Sequence, residues 1–198
     1  MIKIAITGGI GSGKSYVSRL LEDMHIPVYN ADNEAKRLTV SDGEIRKELT
    51  ALLGDAVYRD GELNKPLLAS YLFSDPAHVL QINSIIHPRV REDFAAWTKR
   101  QEGCEIVGME SAILYEAGFQ NTVDAVVMVY APVDLRIRRA MHRDGAGKEQ
   151  VRARMAAQMD DEEKRRLARF TIVNDGVQPL MPQLNRLIEH LKTENYVP

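Results

Sequence analysis

Gly8-Gly9-Ile10-Gly11-Ser12-Gly13-Lys14-Ser15 limits what this chain can fold into more than any other stretch. Two glycines flank four open positions and are followed by Lys and Ser, the pattern of a phosphate-binding loop. Glycines let the backbone turn tightly and aim successive N–H groups at one phosphate chain. A helix after the loop points its positive end at the same phosphates. In that pattern Lys14 reaches the outer phosphates and the Ser15 hydroxyl ligates Mg²⁺. The flanks agree. Ile2, Ile4, Ala5 and Ile6 form a short apolar run that reads as a buried strand. Val17, Leu20, Leu21 and Met24 then fall at the spacing of an amphipathic helix. A flexible glycine linker is the competing reading, and it explains neither the Lys-Ser pair nor the flanks.

The chain has 198 residues, enough for one sizeable domain with room for an inserted subdomain. A net charge of −2 gives no global pull toward nucleic acid or a membrane surface. Cys104 is the single cysteine, so no internal disulfide forms and a reducing compartment is the simple expectation. The N-terminal apolar run is too short for a signal-peptide core, and no run approaches membrane-spanning length. The expectation is a cytoplasmic protein.

After the first helix, His25–Tyr29 reads as a second strand ending in Asn30-Ala31-Asp32. Ligand groups in open α/β sheets gather at the carboxyl ends of strands, which suits Asp32 to catalysis. Asp is equally a common helix cap, and Glu34–Leu38 looks helical. From Glu34 to about Gln101 the pattern is almost wholly helical, interrupted by the turn signal Asp60-Gly61. His87-Pro88 predicts a break or kink in the last of these helices, since proline removes a donor and disfavours helix before it. This stretch reads as an insertion on the substrate side. Tyr71, His87 and Arg89 are its candidates for substrate contact, against the plainer readings of a packing aromatic and a satisfied local histidine.

Glu105–Glu110 reads as the third strand. Glu110 is then either a metal-side carboxylate or an exposed strand-end charge. Val123–Tyr130 is nearly continuous and β-branched, as a central parallel strand would be. A basic segment follows, with Arg136, Arg138, Arg139, His142, Arg143, Lys148, Arg152 and Arg154. A solvated helix face is one reading. A nucleic-acid patch is another, weakened by Asp160-Asp161-Glu162-Glu163 and by the lack of interleaved aromatics. The favoured reading is a lid over the transferring phosphate, because the arginine fork pairs with phosphate oxygens and stays charged. Gly145-Ala146-Gly147 would let it hinge. Phe170–Val173 is a fifth strand, and Leu180, Leu184, Leu187, Ile188 and Leu191 give the last helix an apolar face.

Taken in order, these motifs resemble the dephospho-CoA kinase family over nearly the whole chain. Thr7–Ser15 is similar to that family's phosphate loop, and Asn30-Ala31-Asp32 to its Asp-Ala-Asp. Asp60–Lys65 resembles its Asp-Gly-x-Leu-Asp-Arg, and Ile82–Pro88 its Leu-Asn-x-x-x-His-Pro. Ile113-Leu114-Tyr115-Glu116 is similar to its Leu-Leu-Phe-Glu, and Asn174-Asp175-Gly176 to its late Asn-x-Gly. Arg139 and Arg143, then Arg154 with Gln158, fit its lid spacing. There are departures. Tyr16 stands for Thr, Asn30 for the first Asp, Lys65 for Arg, and Glu110 and Ala112 for Asp and Pro.

The resemblance implies transfer of the ATP γ-phosphate to the ribose 3′-hydroxyl of dephospho-CoA. It implies an α/β fold like that of P-loop nucleotide kinases: three layers, a five-stranded parallel sheet, a helical CoA-side subdomain at 33–101 and a lid at 136–158. Carried over, Gly9, Gly11, Ser12, Gly13, Lys14, Ser15 and Tyr16 would hold ATP, with Asn174 at the adenine. Asp32 would be the base or orienter of the attacking hydroxyl, and Lys14, Arg139 and Arg143 would act on phosphate. Tyr71, His87, Arg89 and Glu116 would bind substrate, while Ser15 and Glu110 would serve Mg²⁺. The implied partners are ATP, Mg²⁺ and dephospho-CoA, without nucleic acid or membrane, and monomer and homo-oligomer both stay open. Another small-molecule P-loop kinase is the nearest rival. A GTPase switch is disfavoured by the lack of an Asn-Lys-x-Asp signature.

Overall fold

Ile4 and Ile6 on one face of the first strand, and Ala5 and Thr7 on the other, are fully shielded from solvent. A strand buried on both faces belongs in the middle of a parallel sheet. In the computed structural model, which describes residues 1–193, it is the middle strand of five. The chain runs β1 (Ile2–Thr7), α1 (Lys14–Asp23), β2 (Val28–Asn30), α2 (Ala31–Ser41) and α3 (Gly43–Leu53). A small hairpin of β3 (Tyr58–Arg59) and β4 (Glu62–Leu63) precedes α4 (Lys65–Ser74) and α5 (Pro76–Lys99). Then come β5 (Ile106–Glu110), β6 (Ala125–Tyr130), α6 (Val133–Asp144), α7 (Lys148–Ala156), α8 (Asp161–Leu167), β7 (Phe170–Val173) and α9 (Leu180–Thr193).

Two compact units result. One is Met1–Asn30 with the described chain from Gln101 onward, and the other is Ala31–Arg100. The first holds the all-parallel sheet, in the order β2-β5-β1-β6-β7. From β1 the chain moves out past β5 to β2, and later crosses to β6 on the other side. The order therefore reverses at β1, and ligands of open α/β sheets bind outside the carboxyl ends of strands at such a point. On one face Ile4, Ile6, Val127, Val129 and Ile172 pack with Val17 and Leu21 of α1 and Leu184, Leu187 and Leu191 of α9. Gln183 of α9 docks the β7 edge: Val173 N donates to its Oε1 at 2.8 Å, and its Nε2 donates to the Val173 carbonyl at 3.0 Å. This is the α/β fold of P-loop kinases, a five-stranded parallel sheet with surrounding helices.

The second unit is four α-helices, a short 3₁₀ turn at Asp55–Val57 and the β3–β4 hairpin. Asp60 and Gly61 both take positive φ, 51° and 84°. That is the two-residue turn whose twist suits a hairpin. Arg46 of α3 holds the turn by donating to the Gly61 carbonyl at 2.9 Å and lies over the Tyr58 ring.

Two local expectations are corrected. The chain stays helical through His87-Pro88, since α5 runs unbroken from Pro76 to Lys99 with Pro88 inside. Proline removes the bond its own N–H would make and crowds the carbonyl four residues before it, but buried Ile82, Val90 and Phe94 hold the helix on either side of it. The second strand starts at Val28 rather than His25, because His25 takes φ 61° to close α1, donating to the Glu22 carbonyl at 2.9 Å.

Candidate active site

The loop from Gly8 to Gly13 joins β1 to α1 at the reversal point of the sheet. Gly13 caps α1 with φ 94°, a conformation that a residue with a Cβ resists, and a Cβ there would overlap the Asn174 amide. The loop thus delivers Lys14 and Ser15 as the first residues of a helix aimed at its own turn. Ser12 is buried, with its carbonyl inside the fold, while Tyr16 is exposed.

Glu110 ends β5, the strand hydrogen-bonded to β1, at the register position opposite Ile6. The Ser15 hydroxyl donates to Glu110 Oε1 at 2.7 Å, and Asn30 Nδ2 lies 3.4 Å from Oε2. Glu110 is only 5% exposed, so the reading of an exposed strand-end charge is corrected. These three residues line a cavity of about 320 Å³ together with Ser18, Arg19, Glu22 and Val28. A hydroxyl and a carboxylate are hard oxygen donors, the chemistry Mg²⁺ prefers. The residues present therefore fit the expected cation.

On the other flank, Asn174 leaves the end of β7. Its Nδ2 donates to the Ser12 carbonyl at 2.8 Å, and its backbone N donates to the Tyr130 carbonyl at 2.7 Å. Arg139 Nη1 donates to the Asn174 carbonyl at 3.0 Å and lies 3.5 Å from the Ser12 carbonyl. Arg139 therefore sits beside the phosphate loop. Arg143, one turn further along α6, is exposed and clasps Asp144 through Nε at 2.6 Å and Nη2 at 3.1 Å. Arg154 of α7 shares that carboxylate at 2.7 Å, and the two guanidinium groups hold Asp144 well below the usual carboxylate range. Glu116 accepts from Lys164 Nζ at 3.0 Å and from Met159 N at 2.8 Å.

In the second unit, α2 begins at Ala31, so Asp32 lies inside its first turn rather than at the cap position. A carboxylate there faces the positive end of the helix. The cap reading is corrected on that ground. Tyr71 stacks on His78 at 3.8 Å and donates its hydroxyl to Gln81 at 2.5 Å. Arg89 ties α5 to α3 through Asp42 at 2.9 Å, while Asp42 also caps α3. Burial, with help from the Arg91 charge, pushes His87 down to about 4.

Comparison with known proteins fits this geometry. The family model described as dephospho-CoA kinase matches residues 2–179. The chain belongs to the dephospho-CoA kinase family. A protein named dephospho-CoA kinase from Bacteroides fragilis is 55% identical over 190 residues, covering 96% of this chain and 93% of that one. A solved structure from Thermus thermophilus superposes with a TM-score of 0.81 at 34% identity, covering 99% of this chain and 98% of the other. The structure of a dephospho-CoA kinase from Campylobacter jejuni shares the fold, with a TM-score of 0.65 at 19% identity over 96% and 95% of the two chains.

Against that family background, sequence reasoning missed three residues around the loop. Arg136, named in the basic segment read as a lid, is only 4% exposed, and Lys164, which the sequence did not single out, is fully buried. Asp161 was read as part of an acidic run, yet it pairs with Arg136. The available signal was the spacing of Arg136 and Arg139, which puts both on one face of α6.

Proposed function

We propose that this chain transfers the γ-phosphate of ATP to the ribose 3′-hydroxyl of dephospho-CoA, giving coenzyme A and ADP. The single observation that carries the chemistry is the Ser15–Glu110 hydrogen bond at the foot of the phosphate loop, beside the helix that starts with Lys14. Family membership supplies the acceptor. Phosphoryl transfer asks the protein mainly for positioning and charge neutralisation. Ser15 and Glu110 would hold Mg²⁺, which when bound neutralises charge on the β- and γ-phosphates. The loop and the first turn of α1 grip the donor, and Lys14 draws its outer phosphates into line. Asp32 accepts a hydrogen bond from the ribose hydroxyl and aims the oxygen.

Arg139 is already against the loop and serves the phosphate directly. Arg143 reaches phosphate by exchanging Asp144 for it, so the α6–α7 segment acts as a lid whose arginines are held in store. Asn174 keeps the loop in shape through Ser12 and borders the adenine side. Substrate recognition falls to the second unit through Tyr71, His87 and Arg89, with Arg89 taking a substrate phosphate by releasing Asp42. No helix among the described residues is long and apolar enough to cross a membrane. With one cysteine and this substrate, we assign the enzyme to the cytoplasm.

The test is to mix the protein with ATP, Mg²⁺ and dephospho-CoA and follow coenzyme A by mass spectrometry. A panel of nucleosides, shikimate and sugar alcohols runs alongside. Preferential conversion of another acceptor would replace the proposal.

A further inference from the structure

Ile10, in the middle of the phosphate loop, is gripped on three sides. Its N–H donates to Gln158 Oε1 at 3.2 Å, and its carbonyl accepts from Arg136 Nε at 3.0 Å. Its side chain packs on the small cluster of Ile137, Ala140 and Val151 that joins α6 to α7. Arg136 also pairs with Asp161, in the first turn of α8, and the two side chains are only 5% and 10% exposed. A Cβ built on Gly9 would overlap Arg136 Nη2 and lie 2.5 Å from Asp161 Oδ1. A carboxylate thus stands against the loop that has to receive phosphates. Burial disfavours its charge, while Arg136 and then Lys164 and Lys14 favour it.

A buried ion pair is seldom a net source of stability, because desolvation consumes most of the Coulomb gain. Its placement at the loop therefore invites a reading in terms of the ligand. We propose that Arg136 is a positioning residue for ATP: it fixes the Ile10 peptide and cancels the Asp161 charge at Gly9, so that phosphates meet a loop of positive field. This rests on the kinase reading above. It predicts a sign that a plain structural brace does not. If Asp161 is a liability that Arg136 screens, removing the Asp161 charge rescues the loss of Arg136. If the pair is only a brace, the second substitution adds to the damage or leaves it unchanged.

The experiment measures MgATP binding by calorimetry to the full chain, with no acceptor, for Arg136→Gln, Asp161→Asn and the double variant. Arg136→Gln is expected to bind roughly tenfold more weakly, the scale of one unscreened charge near the site. The double variant is expected to bind more tightly than Arg136→Gln, and Asp161→Asn at least as tightly as the wild type. In turnover, the KM for ATP should rise in Arg136→Gln while kcat at saturating ATP stays within threefold of wild type. Thermal melts without nucleotide establish that each variant is folded. Should Arg136→Gln fail to fold, Asp161→Asn decides alone, because weakened binding there overturns the inference. Unchanged binding in Arg136→Gln, or a double variant no tighter than it, also overturns it. Failure of the wild type to bind MgATP would instead remove the kinase reading, and this inference with it.

Discussion

The Ser15 hydroxyl donates to the Glu110 carboxylate at 2.7 Å, joining the first turn of α1 to the end of β5. Both residues are fixed by backbone: Ser15 by the helix that Gly13 caps, Glu110 by the β1–β5 register. If this pair holds Mg²⁺, Glu110→Gln keeps a hydrogen-bond acceptor but loses the charge. The Mg²⁺ concentration for half-maximal turnover is expected to rise by roughly 10- to 100-fold, the usual effect of losing a carboxylate that supports a metal ligand. A titration of initial rate against Mg²⁺ at saturating ATP measures it, and an unshifted midpoint would remove Glu110 from the metal site.

The role proposed for Asp32 is narrower. The residue lies in the first turn of α2, two residues past Asn30, which itself contacts Glu110. Asp32→Ala is expected to lower kcat by ~10²–10⁴, the range for a positioned acid–base group. ATP affinity measured by calorimetry should hold within a few-fold. Near-normal turnover would take Asp32 out of the mechanism.

The phosphate loop and the five strands of the parallel sheet were legible, apart from the start of β2, because each rests on local pattern. Glycine spacing specifies the loop, and continuous apolar runs such as Ala125–Tyr130 specify strands buried on both faces. The partners of charged side chains were not legible. Arg136 and Lys164 sit in runs whose composition looks solvated, and only the tertiary fold brings Asp161 and Glu116 to them. The same limit applies to Arg89, whose carboxylate partner Asp42 lies 47 residues away. At Pro88 the local rule predicts a break or a kink; the break does not occur, because burial on both sides of it offsets the loss of one hydrogen bond.

The low pKa of His87 is expected to make the stability of the second unit depend on pH. Burial and the nearby Arg91 charge lower that pKa from 6.5 to about 4. Between those values the unfolded chain binds a proton that the folded chain does not, so stability rises with pH. The contribution is complete above about pH 6.5 and is lost as pH falls toward about 4. His87→Asn removes the titrating group. Thermal melts across that window should show a steeper fall in Tm with acidification for the wild type than for the variant. Equal slopes would mean that His87 is not shielded in the folded protein.

Glu116 poses a choice between two roles that a single substitution separates. The resemblance makes it a substrate residue, whereas the structure gives it to Lys164, which is fully buried and otherwise donates to the Ala112 carbonyl at 2.8 Å. Glu116→Gln still offers an oxygen to Met159 N but removes the charge facing Lys164. Leaving a buried ammonium short of its counter-charge costs about 1–3 kcal/mol. For a chain of this length that is several degrees of Tm. The expected result is a lowered Tm with a KM for dephospho-CoA within about twofold of the wild type. A raised KM at unchanged Tm would show that the carboxylate serves the substrate, with Lys164 satisfied by Ala112 alone. Lys164→Met makes the converse check. If the pair is a brace, the double variant with Glu116→Gln loses no more stability than Lys164→Met by itself, because one interaction can be broken only once.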